Sequence, residues 1–167
     1  HELGHTLGLK HPHDDGGNGR PTFSQIGFGR VDFDSFTIMS YEDQIGYDQK
    51  KYDPGTPMIL DVIALQYLYG INNTYNSTNT VIELSADGIY KTVWDAGGSD
   101  TVTVSDEKTA WNIVLPYYKI STLSDELAGL AESIGNDANS NANSTLIWLL
   151  GDIENVTGGA GNDIISG

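Results

Sequence analysis

The chain has 167 residues, of which 38% are hydrophobic and 10% aromatic, so it is long and apolar enough to bury a core. Its 23 acidic and 8 basic residues give a formal net charge of −15, which argues against nucleic acid or an anionic membrane as a partner. The absence of cysteine excludes disulfides, thiolate zinc sites and a cysteine nucleophile, and no apolar run approaches the roughly 18–20 residues that span a bilayer.

Two helices are predicted in the first part of the chain. The first is short and covers 1–9, and the loop that follows at 14–30 is rich in glycine and other turn formers. The second covers 57–69, where Pro57 occupies the first helical position and apolar residues recur about one turn apart. Gly70 is placed to end this helix.

The remainder of the chain is predicted to form mainly β-strands. Short β-branched runs separated by glycine, aspartate and asparagine predict strands at 80–84, 90–94, 101–104 and 111–115. An amphipathic piece at 123–134 precedes an insert near 135–145 that is rich in asparagine and serine and is expected to be mobile. Residues 158–166 form one copy of a glycine-rich nonapeptide that is typical of calcium-binding β-rolls.

The N-terminal residues carry a metal-binding pattern. His1, Glu2, His5, Gly8 and His11 occupy all five specified positions of H-E-x-x-H-x-x-G-x-x-H. Residues four apart on a helix share a face, so His1 and His5 can bind one zinc ion, and Glu2 lies beside the metal where it can accept a proton from a bound water. Gly8 allows the chain to turn so that His11 becomes the third ligand.

The alternative is that these histidines are scattered side chains with no common ligand. Five fixed positions coincide by chance on the order of once in a few million starts, which favours the zinc site. His13 lies outside the pattern and is expected to be an ordinary exposed loop residue.

With this motif the sequence resembles the metzincin metalloproteases. Within that group, the motif followed directly by Pro12 resembles the form found in the serralysin family. The segment Thr37-Ile38-Met39-Ser40-Tyr41 resembles the serralysin Met-turn. This resemblance implies that Met39 forms an apolar floor under the metal and that Tyr41 is a displaceable fourth zinc ligand which also stabilises the oxyanion.

The segment from Pro57 to Gly70 is similar to the helix that ends serralysin catalytic domains, although Leu60 departs from the common family residue. Glu42, directly after Tyr41, is a second departure from the family pattern. The resemblance implies an α+β fold, with the C-terminal part of a metzincin zinc-protease domain at 1–70. The start of an all-β parallel β-roll of the RTX type is expected at 71–167. The chain is therefore expected to be an internal fragment of a longer protein.

A second metal-binding region is predicted around Asp95 and Asp100, where two carboxylates and two glycines occupy a tight turn. A polar hairpin turn is the alternative, since sequence alone does not separate the two. Resemblance to the serralysin junction implies calcium ligands at these residues: Asn76, Thr78, Thr80, Asp95, Gly97, Gly98, Asp100, Asp152 and Glu154.

The nonapeptide is expected to supply half of another calcium site through Gly159, Gly161 and Asp163. One copy alone is a weak repeat signal, because solenoid repeats need neighbours to bury a core. Since like charges repel until cations screen them, folding of this region is expected to depend on calcium.

The expected function is that of a zinc-dependent endopeptidase, with Glu2 as general base, one catalytic zinc ion and several structural calcium ions. The expected partners are protein or peptide substrates, with a protein inhibitor left open and no nucleic acid or membrane insertion. The resemblance implies a monomeric bacterial protein exported in one step without an N-terminal signal peptide. The alternative is a calcium-binding structural or adhesive module of the RTX type without peptidase activity.

Overall fold

The computed structural model describes residues 1–15, 17, 19–43, 54–105, 108–121, 124–134 and 145–167. The helices are α1 (Glu2–Thr6) and α2 (Ile59–Tyr69), and single 3₁₀ turns occur at Ser24–Ile26 and Gly29–Val31. The strands are β1 (Val81–Leu84), β2 (Tyr90–Asp95), β3 (Thr101–Val104), β4 (Ala110–Ser121), β5 (Ser124–Ile134), β6 (Leu146–Gly151), β7 (Asn155–Thr157) and β8 (Ile164–Ser166). This mixture of helices and strands confirms the α+β class. The insert predicted to be mobile lies, at 135–144, outside the described residues.

Both helices are shorter than their sequence patterns predict. α1 ends at Thr6 because Gly8 adopts a φ of +96°, which turns the chain away from the helix axis. α2 begins at Ile59 instead of Pro57, since Asp61 accepts a hydrogen bond from the backbone N–H of Met58 and so caps the helix there. Gly70 ends α2 as predicted.

The strands form two sheets. The three-stranded sheet has the order β1-β3-β7 and is parallel throughout, and the five-stranded sheet has the order β2-β6-β5-β4-β8. Within the larger sheet the pairs β2–β6 and β4–β8 are parallel, but β5 is antiparallel to both of its neighbours. The described strands are therefore not all parallel, contrary to the sequence-based expectation.

β5 accounts for this difference. The amphipathic piece predicted at 123–134 is a strand, and only residues 122 and 123 separate it from β4. A link that short can join antiparallel strands but cannot cross a sheet to form a parallel pair. The chain therefore reverses direction between β4 and β5.

The main core lies between the two sheets. Trp111, Ile113 and Leu149 are fully buried there against the inward residues of β1 and β3. Successive strand residues point to opposite faces, so Trp148 and Leu150 of β6 point the other way and pack in a second apolar cluster that includes α2. Within the described residues, α2 thus packs against part of the outer face of the five-stranded sheet.

This second cluster fastens the N-terminal segment to the sheet. Ile59 of α2 is 2% exposed in it, and the indole N–H of Trp148 donates a 2.7 Å hydrogen bond to the carbonyl oxygen of Ser35. The predicted division into 1–70 and 71–167 falls between α2 and β1 and stays a prediction. Neither helix in the described part of the chain is long and apolar enough to cross a membrane.

Candidate metal centres

The three motif histidines meet at one point in the structure. His1 precedes α1 and His5 lies one turn further along the same face. Because α1 ends at Thr6 and the chain turns back at Gly8, His11 approaches both rings. Nε2 of His11 lies 3.1 Å from Nε2 of His1 and 3.1 Å from Nε2 of His5.

Hydrogen bonds on the far side of two rings decide which nitrogens face the common point. Nδ1 of His1 lies 2.7 Å from the carbonyl oxygen of Ile38, and Nδ1 of His5 lies 3.0 Å from that of Leu9. A carbonyl oxygen only accepts, so each Nδ1–H donates and each neutral ring keeps its lone pair on Nε2.

These lone pairs fit a metal ion. Nitrogens at about 2.0–2.1 Å from a tetrahedral zinc ion lie about 3.3 Å from one another, which is close to the observed separations. Without a cation, His11 could donate a proton to only one of the two rings that it faces. The donor set and the carbonyl partners behind it therefore fit a zinc ion.

Two further rings lie against the histidine cluster. Tyr41 is 65% exposed, stacks on His1 with ring centroids 5.2 Å apart, and lies 4.7 Å from the ring of His11. His13, expected to be an ordinary loop residue, is exposed but stacks on His11 with centroids 5.1 Å apart. No sequence signal beyond its position two residues after the motif marks this contact.

The electrostatics of the cluster favour a neutral ligand. Burial lowers the pKa of His11, and the neighbouring His5 and His13 lower it further. Glu2 is exposed on α1, and its negative charge partly opposes this shift in the pKa of His11. The Glu2 carboxylate is thus near enough to act on the cluster electrostatically while it remains open to solvent.

The predicted Met-turn packs directly against α1. The backbone N–H of Ser40 donates to the carbonyl oxygen of Thr37, and Met39 between them is 2% exposed. A Cβ atom at Gly4 would lie 2.6 Å from Sδ of Met39. Glycine at this position therefore lets the methionine approach the helix turn that carries His5.

Sequence patterns did not single out Asp61, which the structure connects to this turn. Asp61 is 2% exposed in the first turn of α2 and accepts hydrogen bonds from Thr37 and Ile38 of the Met-turn. Burial raises the pKa of Asp61, although these hydrogen bonds oppose the shift. An acidic residue in the first turn of a helix predicts a cap, but the pattern does not indicate which other segment it contacts.

The second group of predicted ligands forms at the start of the three-stranded sheet. Thr80, Asp100 and Glu154 directly precede β1, β3 and β7, and the register aligns these strand starts side by side. The Asp100 carboxylate accepts a 2.6 Å hydrogen bond from the Thr80 N–H, and the Glu154 carboxylate accepts a 2.8 Å bond from the Asp100 N–H. Sheet pairing therefore brings together residues that lie far apart in the sequence.

Asp95 joins this group from the end of β2. Asp95 and Asp100 are both 0% exposed, and one carboxylate oxygen of each has no hydrogen-bond partner among the described residues. Burial, together with the neighbouring carboxylates of Asp100 and Glu154, raises the pKa of Asp95 to about 6. A bound cation would neutralise buried carboxylate oxygens that lack donors, and a group of hard oxygen ligands fits calcium.

The glycines predicted with Asp95 bring the neighbouring turn close. Gly97 donates a 2.9 Å hydrogen bond to the Asp95 carboxylate, and Gly98 packs so closely that a Cβ there would lie 2.7 Å from the carbonyl carbon of Thr78. Asn76 donates from its side chain to the carbonyl oxygen of Trp94. These segments therefore border the carboxylate group.

Asp152 is the remaining predicted calcium ligand of this region. Its side chain is exposed after β6 and has no hydrogen bond to the described residues of the group.

In the nonapeptide, Asp163 accepts hydrogen bonds from the N–H groups of Gly159 and Trp111, at 2.8 and 2.9 Å. Gly161 packs against the backbone of Thr109, where a Cβ would lie 2.5 Å from the carbonyl oxygen. These contacts fasten the nonapeptide beside β4, to which β8 adds as a parallel strand.

Comparison with known proteins identifies relatives of one kind. The chain is 35% identical over 185 residues to a serralysin of Proteus mirabilis, and 30% identical over 184 residues to a serralysin of Photorhabdus laumondii. It is 34% identical over 187 residues to the metallopeptidase AprA of Pseudomonas marginalis. No family model matches the chain.

These alignments include 100% of this chain but only 34–36% of each relative, so the chain spans about a third of the length of the curated relatives it matches. The class defined by the relatives is that of the metallopeptidases. Within this class the chain is serralysin-like along its whole length, which confirms the resemblance predicted from the motif.

Proposed function

We propose that this chain is the zinc-binding part of a zinc-dependent endopeptidase that hydrolyses protein substrates. The observation that carries the proposal is the approach of Nε2 of His11 to Nε2 of both His1 and His5 at 3.1 Å. Relatives named serralysin and metallopeptidase support the same class of reaction.

The chemistry of the site follows from the groups around the histidines. Zinc bound there would supply a Lewis acid that polarises the scissile carbonyl and acidifies a water molecule. Glu2 accepts the proton of the attacking water and transfers it to the nitrogen of the leaving amine. The Tyr41 hydroxyl donates a hydrogen bond to the carbonyl oxygen as that oxygen gains negative charge.

A cleft beside the cluster supports a peptide substrate. Among the described residues it has a volume of about 340 Å³, and His1, Ile38, Ser40 and Tyr41 contribute to its lining. Such a volume accommodates a side chain next to the reacting carbonyl. We infer protein or peptide substrates, and with them an extracellular location reached by bacterial export.

Calcium has a structural role in this proposal. Bound at the group around Asp95 and Asp100, it would neutralise buried carboxylates at the start of the three-stranded sheet. Since metal binding to the folded chain alone stabilises it, calcium contributes directly to the free energy of folding.

Native mass spectrometry of the chain with zinc and calcium supplied tests the metal content. We expect one zinc ion and at least one calcium ion per chain. His5→Ala should remove the zinc and leave the calcium, whereas His13→Ala, the matched control outside the triad, should retain both. A chain that retains one specifically bound zinc ion in the His5→Ala variant contradicts the proposed site.

Casein hydrolysis by the protein and its Glu2→Gln variant tests the reaction. Loss of a general base lowers turnover by about 10²–10⁴-fold, and zinc content should be unchanged because Glu2 is not a ligand. Equal turnover by the variant would refute the role of Glu2.

The second candidate function is a calcium-binding structural module without peptidase activity. The unpartnered carboxylate oxygens of Asp95 and Asp100 favour this function, since a bound calcium ion would neutralise them without any catalytic group. Calcium binding without specific zinc, in the chain and in the protein with its flanking sequence, is the result that would support this function over the first.

A further inference from the structure

The carboxylate of Asp61 connects α2 to the Met-turn by several hydrogen bonds. Its Oδ1 accepts from the Thr37 hydroxyl at 2.6 Å, and its Oδ2 accepts from the backbone N–H of Ile38 at 2.8 Å. Oδ2 also accepts from the N–H of Met58 at 2.8 Å, and Thr37 Oγ1 accepts from the N–H of Met39 at 3.1 Å. One buried side chain therefore holds three consecutive residues of the turn.

The Met-turn also contacts the histidine cluster, at two points. The carbonyl oxygen of Ile38 accepts the 2.7 Å hydrogen bond from Nδ1 of His1. The Met39 side chain packs against Gly4, directly before His5. A continuous path of contacts thus runs from Asp61 through the backbone of Ile38 to the far side of a zinc ligand.

We propose that Asp61 is a positioning residue of the zinc site, which holds the Ile38 carbonyl so that His1 presents the unprotonated Nε2 to the metal. This inference rests on the proposed function, because it treats His1 as a zinc ligand. It assigns to Asp61 a role beyond the cap of α2.

The chemistry of the carboxylate suits this role. An ionised carboxylate only accepts hydrogen bonds and offers several lone pairs, which the donors of Thr37, Ile38 and Met58 occupy. Charge-assisted bonds of this kind are short and strong, so they fix the turn more firmly than neutral partners would. Because Asp61 is 2% exposed, solvent does not compete for these hydrogen bonds.

The test compares four variants of the whole chain. Asp61→Ala removes all the acceptors, and Asp61→Asn keeps the shape with one oxygen. Thr37→Val removes one donor and leaves the cap of α2 intact. Ala64→Gly is the matched control, since glycine weakens the middle of α2 and removes no hydrogen-bond donor or acceptor of the Met-turn. Circular dichroism sets a temperature at which every variant is folded.

Two measurements are made on each variant. Zinc affinity is determined by competition with a chromophoric chelator. The tautomer of His1 is read in the metal-free chain from imidazole ¹⁵N chemical shifts, which distinguish a proton on Nδ1 from one on Nε2. A role confined to the stability of α2 would change neither quantity in a chain that remains folded.

We expect Asp61→Ala to weaken zinc binding about 10-fold, at the lower end of effects seen when partners of metal ligands are removed. His1 should then lose its fixed Nδ1–H tautomer. Asp61→Asn and Thr37→Val should lie between Asp61→Ala and the unaltered chain, and Ala64→Gly should match the unaltered chain.

The proposal is overturned if folded Asp61→Ala binds zinc with unaltered affinity and His1 keeps its tautomer. It is also overturned if Ala64→Gly weakens binding as much as Asp61→Ala. Should Asp61→Ala fail to fold, Asp61→Asn and Thr37→Val decide by the same criteria. If neither the unaltered chain nor the protein with its flanking sequence binds zinc, the proposed function fails, while the His1 tautomer still tests the action of Asp61.

Discussion

The histidine cluster and the carboxylate group are built in opposite ways. The three histidines lie within the first 11 residues, are exposed or half-buried, and meet through one helix turn and one glycine. The carboxylate group contains Asp95 and Asp100 at 0% exposure and gathers residues from three strand starts between Thr80 and Glu154.

This difference determines whether a bound metal ion is expected to contribute to catalysis or to folding in each region. Neutral imidazoles in contact with solvent tolerate an empty site, so zinc is expected to contribute to catalysis more than to folding. Buried carboxylates repel each other, so the cation is expected to be part of the fold. We therefore expect calcium and zinc to act on different properties of the same chain.

Calcium removal is the largest expected effect. With free calcium at about 1,000 times the dissociation constant, binding stabilises the fold by about 4 kcal/mol, so a chelator should lower the melting temperature by about 8–16 °C. Calorimetry with and without calcium measures this shift. Asp100→Ala should abolish the response, whereas Asp152→Asn, at an exposed predicted ligand, should keep most of it; an unchanged melting temperature in chelator would remove the structural role of calcium.

Loss of a zinc ligand comes next. His11→Ala should raise the zinc dissociation constant about 100-fold, equal to about 2.7 kcal/mol, and leave the melting temperature in calcium nearly unchanged. Chelator competition and calorimetry on one sample measure both quantities. His13→Ala removes a ring that also stacks beside the site, and equal losses in the two variants would contradict the assignment of His11 as a ligand.

Gly4→Ala tests the contact between the Met-turn and α1. The added Cβ would lie 2.6 Å from Sδ of Met39, and overpacking of this kind costs about 1–3 kcal/mol. We expect a lower free energy of unfolding by urea denaturation, together with weaker zinc binding. Leu3→Ala, at the neighbouring position that is 70% exposed, is the matched control and should change neither.

The smallest expected effect concerns pH. The pKa of Asp95 is raised from 3.8 to about 6, so between these values the folded chain binds more protons than the unfolded chain. Stability without calcium should therefore rise as pH falls from 7 toward 4, and the melting temperature in chelator should be higher at the lower pH. Calcium affinity should fall over the same window, because protons compete for the carboxylate.

Asp95→Asn isolates this contribution, since the variant lacks the Asp95 carboxyl group and keeps every other titratable side chain. Thermal unfolding in chelator across the pH range measures both chains. Identical pH slopes for the two would show that Asp95 does not carry the effect.

The histidine cluster was predictable because its information is local. A spacing of four residues on a helix and one glycine suffice to bring His1, His5 and His11 together, whatever the rest of the chain does. Asp61 and His13 were not predictable in the same way. Their contacts join α2 to the Met-turn and one loop residue to another ring, and no spacing rule connects such segments.

The strands show the same division. The β-branched runs at 101–104 and 111–115 predicted strands that the structure contains, because alternation with polar residues has a local cause. The reversal at β5 and the extension of β4 to Ser121 were not predicted, since pairing direction depends on the partner strand and on the link between them.

The sequence by itself predicted the histidine cluster, the serralysin resemblance and the approximate positions of both helices, since short-range patterns encode each of these. Only the tertiary structure decided that Asp95, Asp100 and Glu154 lie near one another at the start of the three-stranded sheet and that Asp61 accepts hydrogen bonds from the turn behind His1. The physical reason is that burial and hydrogen bonding between distant segments depend on sheet register and layer packing, which emerge only when the whole chain has folded.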